Sequence, residues 1–433
     1  MPKEYTNPDF ITYEDLGVQL GESMFPGSHF LYTEEERTFR LNFRKFLLDN
    51  IASLAPQIER EYNWDICYEA YQRLARAGYL KFSFPTSIGG HGKGFVYRTI
   101  FGEELGAINS AVTVTYGASA NLFAAPIIHF GTEDQKKKYL TKIMSGEALG
   151  AIGITEPSAG SDAVGGMKTT AIKTASGNSY ILNGEKRFIT NGSKADYILV
   201  YALTNPNAPK KNQGISAFIF PTNTPGFERV KEFELVGRRG SINSYLRFNN
   251  CEVPAENLVG GPAMENKGIK IMMTGLDGER CFTCSQYIGV ARFAFEIATR
   301  YANRRVQFGK KIQEFEGIGF KISEMYAKLE ASRLMMLRAA RMLDAGQTAT
   351  KEVAAAKFTA ATSQMEIVVD AMQIVGGISY TKEYPLEQLY RDAKIAQMAA
   401  GTVEILKFLC EREIYSSLKL DKAEGKTKND PKP

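Results

Sequence analysis

Ile152-Gly153-Ile154-Thr155-Glu156-Pro157-Ser158-Ala159-Gly160-Ser161-Asp162 is the stretch on which the reading turns. It sets hydroxyls and small residues along a backbone with many free N–H groups. Such a loop lets a ligand approach the main chain and offers donors to a diphosphate or to the polar edge of a flat ring. Composition alone favours an ordinary Gly/Ser-rich loop. The loop also lies where the pattern of the chain changes.

Upstream the pattern is helical. Thr33-Glu34-Glu35-Glu36 reads as a capping box, and Phe39, Phe43, Phe46, Leu47 and Ile51 follow at helical spacing. Helical patterning recurs over 68–80 and 97–108. Thr132 and Gln135 form a second capping box, opening a helix that ends near Ser145-Gly146. Downstream, Ser179–Leu182, Tyr197–Tyr201 and Ile215–Phe220 are rich in β-branched and aromatic residues, and Asn183-Gly184 and Asn191-Gly192 supply tight-turn chemistry between them. From Gly268 long helical patterns return. Cys281–Ala291 carries no charge and reads as buried, 314–345 alternates charged and apolar residues, and 354–373 is rich in Ala and Met.

The expected fold is therefore α+β and multidomain: an N-terminal helical domain over 31–149, a middle antiparallel β domain over 150–262 and a C-terminal four-helix bundle over 263–418. An irregular extension is expected over 1–30, and a Lys/Asp/Pro-rich disordered tail over 419–433.

A length of 433 residues implies more than one core. A net charge of +5 is too mild to argue for nucleic acid and suits an anionic small molecule. Five scattered cysteines make no disulfide framework, and Cys281-x-x-Cys284 has no second pair, so core thiols are expected and no metal. The N-terminus has the bias of neither a signal nor a transit peptide, and no long apolar run suggests a membrane span, so a cytoplasmic location is expected.

The opening stretch resembles the T-E-P-x-A-G-S-D signature of the acyl-CoA dehydrogenases, and Phe188-Ile189-Thr190-Asn191-Gly192 resembles the W-I-T-N-G that follows it there. Arg305-Val306-Gln307-Phe308-Gly309 is similar to the family's R-x-x-F-G, and Gln373-Ile374-Val375-Gly376-Gly377 to its Q-x-x-G-G. Arg391-Asp392-Ala393-Lys394 and Ala400-Gly401-Thr402-Val403-Glu404 resemble its C-terminal signature. The ordered set runs from about residue 33 to 415.

The resemblance implies the same three-domain order and FAD as cofactor. It places Ile152, Ile154, Thr155, Gly160 and Ser161 along the flavin and its diphosphate, the Phe188 ring on one flavin face, and Ile189 and Thr190 beside the ring, with the Thr190 hydroxyl on the reactive nitrogen. Arg305, Gln307 and Phe308 would touch the FAD of a neighbouring subunit. Gln373, Gly376, Gly377, Thr402 and Glu404 also join the cofactor set. Glu316 stands where many members carry Gln near the nucleotide half. Sharing FAD between chains implies an oligomer, in this family a homotetramer. Ser161, Asp277, Arg280 and Gly401 are implied to touch the acyl-CoA.

Many members place their catalytic glutamate just before the Gly-Thr. Here that position is Ala400, which can still offer its backbone N–H to the thioester oxygen. Asp277-Gly278-Glu279-Arg280 resembles the D-x-E-R of the isovaleryl- and long-chain-type branch, in which this glutamate is the base. Glu279 borders an uncharged helix, where poor solvation raises a carboxyl pKa. Phe282, Thr283, Gln286 and Val290 share its face and read as a wall for an acyl group. The bland alternative is a carboxylate that pairs with Arg280 or caps the helix. His91, in a Gly-rich loop, is a weaker candidate for a second proton carrier.

The expected activity is FAD-dependent α,β-dehydrogenation of a short, branched or cyclic acyl-CoA. The α-proton would pass to Glu279, the β-hydride to the flavin, and the electrons to an electron-transfer flavoprotein. The loss of a side chain at Ala400 keeps desulfinase, acyl-CoA oxidase and flavin monooxygenase chemistry open on the same fold. A DNA-binding member is a further alternative, but Lys136-Lys137-Lys138 and Arg238-Arg239 are short and separated.

Overall fold

The computed structural model describes residues 28–418. The extension expected over 1–30 therefore lies outside the described residues except for its end, where a short helix spans Ser28–Leu31, and the expected tail lies wholly outside them.

The N-terminal region is helical because its caps and apolar spacing agree. Thr33 Oγ1 accepts from Glu36 N at 3.2 Å and Glu36 Oε2 accepts from Thr33 N at 2.9 Å, which starts α1 (Glu34–Asn50). α2 (Trp64–Arg76) and α3 (Phe95–Ile108) follow. Asn109 then caps α4 (Ser110–Phe130) by accepting from Ala111 N and Val112 N at 2.9 and 3.0 Å. The second capping box is present at Thr132 and Gln135, and that helical segment ends on Gly146 at φ 76°.

By length and hydropathy α4 could cross a membrane, which the sequence reading did not anticipate. Its most apolar window is 78% buried inside the protein. That marks a core helix whose apolar surface is covered by its neighbours.

The middle region holds β1 (Gly150–Gly153), β2 (Thr170–Lys173), β3 (Ser179–Thr190), β4 (Tyr197–Leu203), β5 (Ile215–Pro221), β6 (Phe227–Glu232) and β7 (Asn243–Pro254). They form one sheet in the order β1-β4-β2-β3-β7-β6, with β5 on β4. Most pairs are antiparallel as expected. β1 instead runs parallel to β4, from Gly150↔Tyr197 to Gly153↔Val200, and Thr170 pairs parallel with Leu203. Parallel neighbours need a long crossover, and the β2–β3 hairpin supplies it. Residue alternation reports which face is buried, not strand direction. Asn183-Gly184 also departs from expectation. It is a bulge inside β3, with the register slipping between Leu182 and Gly184, and not a turn between strands.

The C-terminal region comprises α5 (Gly268–Arg304), the β8–β9 hairpin (Val306–Gln307, Lys310–Lys311), α6 (Glu316–Asp344), α7 (Thr350–Val375), α8 (Leu386–Lys394) and α9 (Val403–Leu418). Lys328 pairs with Glu366 on α7 at 2.7 Å, and Lys321 pairs with Asp370. These contacts set α6 antiparallel to α7, so α5 and α7 run the same way. All five cysteines are free and buried, as core thiols would be.

α5 lies tightly on α3 because glycines face the contact. A Cβ at Gly289 would stand 2.2 Å from Glu103 O, and one at Gly106 2.7 Å from Gln286 O. Buried charges pin the same contact. Arg292 reaches Glu104 at 2.9 Å, Arg333 reaches Glu103 at 2.9 Å, and Arg40 reaches Glu104 at 2.6 Å. Burial alone would raise the Glu103 pKa, yet Arg333, Arg40 and Arg292 together hold it at about 2. Gly289→Ala is expected to destabilise the protein by about 1–3 kcal/mol, read as a lower urea midpoint at unchanged slope.

Candidate active site

Glu279 sits in the fourth turn of α5 and is only 8% exposed. Thr283, one turn on, donates from Oγ1 to Glu279 Oε1 at 2.9 Å. The other oxygen, Oε2, is buried without a hydrogen-bond partner. Burial pushes the Glu279 carboxyl up to about 8, against the Thr283 hydrogen bond and the more distant charges of Arg98, Lys357 and Arg238. Arg280 does not pair with Glu279. It reaches back to Asp277 Oδ1 at 3.3 Å, and Thr350 donates to Asp277 Oδ2 at 2.5 Å. The pairing alternative for Glu279 is thereby removed.

Gly117 lets Phe282 and Glu279 pack closely against α4, since a Cβ there would lie 2.9 Å from the Phe282 ring and 3.9 Å from Glu279 Oε1. Gly117 opens the π-helical turn of α4 (Gly117–Phe123), a distortion frequent at functional sites. The wall expected from Phe282, Thr283, Gln286 and Val290 is mostly committed to packing. Phe282 meets the Tyr116 ring at 5.5 Å, Gln286 donates to Ser110 O at 3.2 Å, and Val290 is buried in the bundle core. On a helix covered on several sides, sharing a face with Glu279 does not mean facing the same space.

Ala400 is exposed and left-handed, at φ 53°, and Gly401 follows at φ 93°. Among the described residues the Ala400 N–H donates to no other protein group. The carbonyls on either side of it are taken: Lys357 Nζ donates to Ala399 O at 2.8 Å and to Gly401 O at 3.1 Å. Thr402 caps α9 by accepting from Ile405 N at 3.2 Å, and Glu404 is exposed in its first turn.

In the β region the loop after β1 is held from below by a buried pair. Lys186 Nζ donates to Glu156 Oε1 at 2.9 Å and to Ile154 O at 3.1 Å, and Glu156 also accepts from Lys168 N and Thr169 N at 2.7 and 3.0 Å. Ile152, Ile154 and Thr155 remain half-exposed and Gly160 and Ser161 exposed above it. β3 slips register between Lys186 and Ile189, and Phe188 adopts φ 60° there. That slip leaves the Phe188 ring 55% exposed, while Ile189 is buried and Thr190 half-exposed. A small apolar pocket lined by Leu122, Pro126, Ile152, Ile154, Met272 and Leu276 lies between this loop and the start of α5.

The second group of predicted residues lies elsewhere. Arg305, Gln307 and Phe308 follow the far end of α5, about 39 Å from Glu279 at 1.5 Å per residue. Phe308 is 94% exposed at φ 52°. Gln373, Gly376 and Gly377 are exposed at the same end of α7, and Glu316 is exposed at the start of α6. A group seated beside Glu279 does not reach them within one chain.

His91 is exposed. Arg238 is buried, and Arg239 lies over the Tyr62 ring and near Glu59, so they build no exposed basic patch. Among the described residues no group of His, Cys, Asp and Glu is placed to hold a metal.

Family models match in the same order: the acyl-CoA dehydrogenase N-terminal domain over 33–147, the middle domain over 151–251 and the C-terminal domain over 266–414. The mitochondrial isovaleryl-CoA dehydrogenase of Pongo abelii is 36% identical over 380 residues, covering 88% of each chain. The chain belongs to the acyl-CoA dehydrogenase family. It is an enzyme of that family, and FAD is its cofactor. Butyryl-CoA dehydrogenase from Megasphaera elsdenii superposes with a TM-score of 0.84 at 36% identity, covering 88% of this chain and 98% of that one. The FAD complex of PigA superposes at 0.83 with 27% identity, covering 88% and 98%.

The residues present fit a flavin. Exposed hydroxyls and an open glycine backbone crown the loop after β1, the Phe188 ring is turned outward, and a Cβ at Gly160 would meet nothing within 4 Å. Sequence reasoning missed Gly117 and Lys357. Gly117 carries no motif. Lys357 had a signal, a lone charge in the run Ala354-Ala355-Ala356-Lys357-Phe358.

The Glu279 pKa has a cost in stability. An acid raised from 4.5 to about 8 binds a proton in the fold that the unfolded chain has released. The stabilisation is complete below pH 4.5 and is lost as pH climbs toward 8, about 3 kcal/mol of it being gone by pH 7. Glu279→Gln should match the parent in urea stability at pH 4.5 and exceed it increasingly toward pH 8.

Proposed function

We propose that this enzyme abstracts the α-proton of a short or branched acyl-CoA with Glu279, in the manner of the isovaleryl-type branch. The observation that carries the reading is Glu279 Oε2, a buried carboxylate oxygen with no hydrogen-bond partner. Ionised Glu279 accepts the proton at that atom. Thr283 holds the other oxygen and so orients the carboxylate. The poor solvation that raises the pKa also makes the ionised group a stronger base. The Ala400 N–H is free to donate to the thioester oxygen as negative charge develops there.

The bound flavin supplies the acceptor for the β-hydride. Phe188 offers an apolar wall to it, and Thr155, Thr190 and Ser161 offer hydroxyls. Asp277 and Arg280, paired on α5 beside Glu279, are the residues proposed to meet the acyl-CoA chain.

A short acyl group is favoured because Phe82, Phe101, Tyr116 and Phe282 fill the space behind Glu279, with Phe101 and Tyr116 centroids 4.5 Å apart. The separation of Arg305–Phe308 from Glu279 supports a homotetramer in which that hairpin serves a neighbour's FAD. An electron-transfer flavoprotein is the proposed acceptor.

Anaerobic mixing with butyryl-, isovaleryl-, 2-methylbutyryl- and cyclohexanoyl-CoA should bleach the flavin with at least one of them, and octanoyl-CoA should act more slowly. The second-order rate of bleaching should rise about tenfold per pH unit below pH 7 as Glu279 ionises. Glu279→Gln should keep the yellow colour and bind acyl-CoA without bleaching. Bleaching by that variant at the parent rate would remove Glu279 from the role.

A further inference from the structure

Lys357 is fully buried in α7, and no carboxylate pairs with it among the described residues. Its ammonium lies over the Tyr287 ring at 5.6 Å and bonds the two carbonyls that bracket Ala400. Ala399 O and the Ala400 N–H belong to one peptide unit. In a trans peptide they point in opposite directions, and the chain has no cis bond among the described residues. With Ala399 O drawn inward onto Lys357, the Ala400 N–H is turned outward, away from α7.

We propose that Lys357 is a positioning residue that aims the Ala399–Ala400 peptide and polarises it, making the Ala400 N–H a stronger donor to the thioester oxygen. The proposal rests on the reading of Ala400 given above. A charged donor on the carbonyl of a peptide strengthens the hydrogen bond made by its N–H, because bonds in a chain polarise one another. The second bond, to Gly401 O, holds the turn from its other side. Together they keep Ala400, which has a Cβ, in the left-handed region. Poor solvation pulls the Lys357 pKa down to about 7, so polarisation by its charge is full below pH 7 and fades above it. Arg280, Arg238, Cys284 and Glu279 are the groups whose charges it feels, and Glu279 favours its protonated form.

The test reads the carbonyl directly. The acyl-CoA of the panel that bleaches the parent is prepared with ¹³C at the thioester carbonyl and bound to Glu279→Gln, where it does not turn over. Isotope-edited infrared spectra should show the carbonyl band shifted to lower wavenumber on binding. In Glu279→Gln/Lys357→Met that shift should shrink by about half or more with the flavin still bound. Lys357→Gln, which restores one neutral donor, should recover part of it. With Glu279 intact, Lys357→Met should slow flavin reduction by about 10- to 100-fold at similar acyl-CoA affinity.

An undiminished shift in the double variant overturns the role of Lys357 and leaves the Ala400 donor standing. No shift in Glu279→Gln itself overturns the Ala400 reading, and the Lys357 proposal with it. Should the Met variant lose its flavin, the Gln variant decides alone: a shift equal to that of Glu279→Gln refutes polarisation by charge, and a smaller one supports it.

Discussion

The close approach of α5 to α3 is the constraint from which the site follows. Gly106 and Gly289 allow backbone to lie against side chain and backbone where a methyl would collide. That approach covers α5 over its central turns and draws Glu279 at its edge out of water. An ionised carboxyl placed there without a full set of partners is costly. The same burial gives the carboxyl a pKa near working pH. Stability and basicity are therefore set against each other by one packing contact.

Around this contact the protein treats its buried charges in two ways. Glu103, Glu104 and Glu156 are met by Arg or Lys and several hydrogen bonds, which hold their pKa values down despite burial. Those groups fasten elements together: α1, α3, α5 and α6 in one cluster, and the loop after β1 onto β3 in the other. Glu279 and Lys357 are left incompletely paired, and burial moves both toward neutrality. The contrast separates structural from chemical charge within one domain pair, because a fully paired ion has little left to offer a substrate.

Much of this was legible in the chain. The capping boxes at Thr33 and Thr132 have local causes that survive in the fold, and so does the uncharged run after Glu279, which predicted its burial. The motifs around Thr155 and Thr190 led to the flavin-fitting loop because their hydroxyls and glycines act through nearby backbone. The reading went astray where a partner distant in sequence decides the outcome. Asn183-Gly184 looks like a hairpin turn but is a bulge, since β7 continues past it on the neighbouring position. Strand direction at β1 depends on β4. Gln286 shares a helix face with Glu279, yet Ser110 and Arg238 claim it.

By itself the sequence determined the order of helical and β regions, the family, the cofactor class and the burial of Glu279, because each is written in local spacing or in ordered motifs. Only the tertiary structure decided that Arg280 turns to Asp277, that Phe282 packs against Gly117, and that Lys357 grips the carbonyls on both sides of Ala400. Those contacts join residues far apart along the chain. Their energies depend on burial and on distances of a few ångströms, and both exist only once the helices have packed.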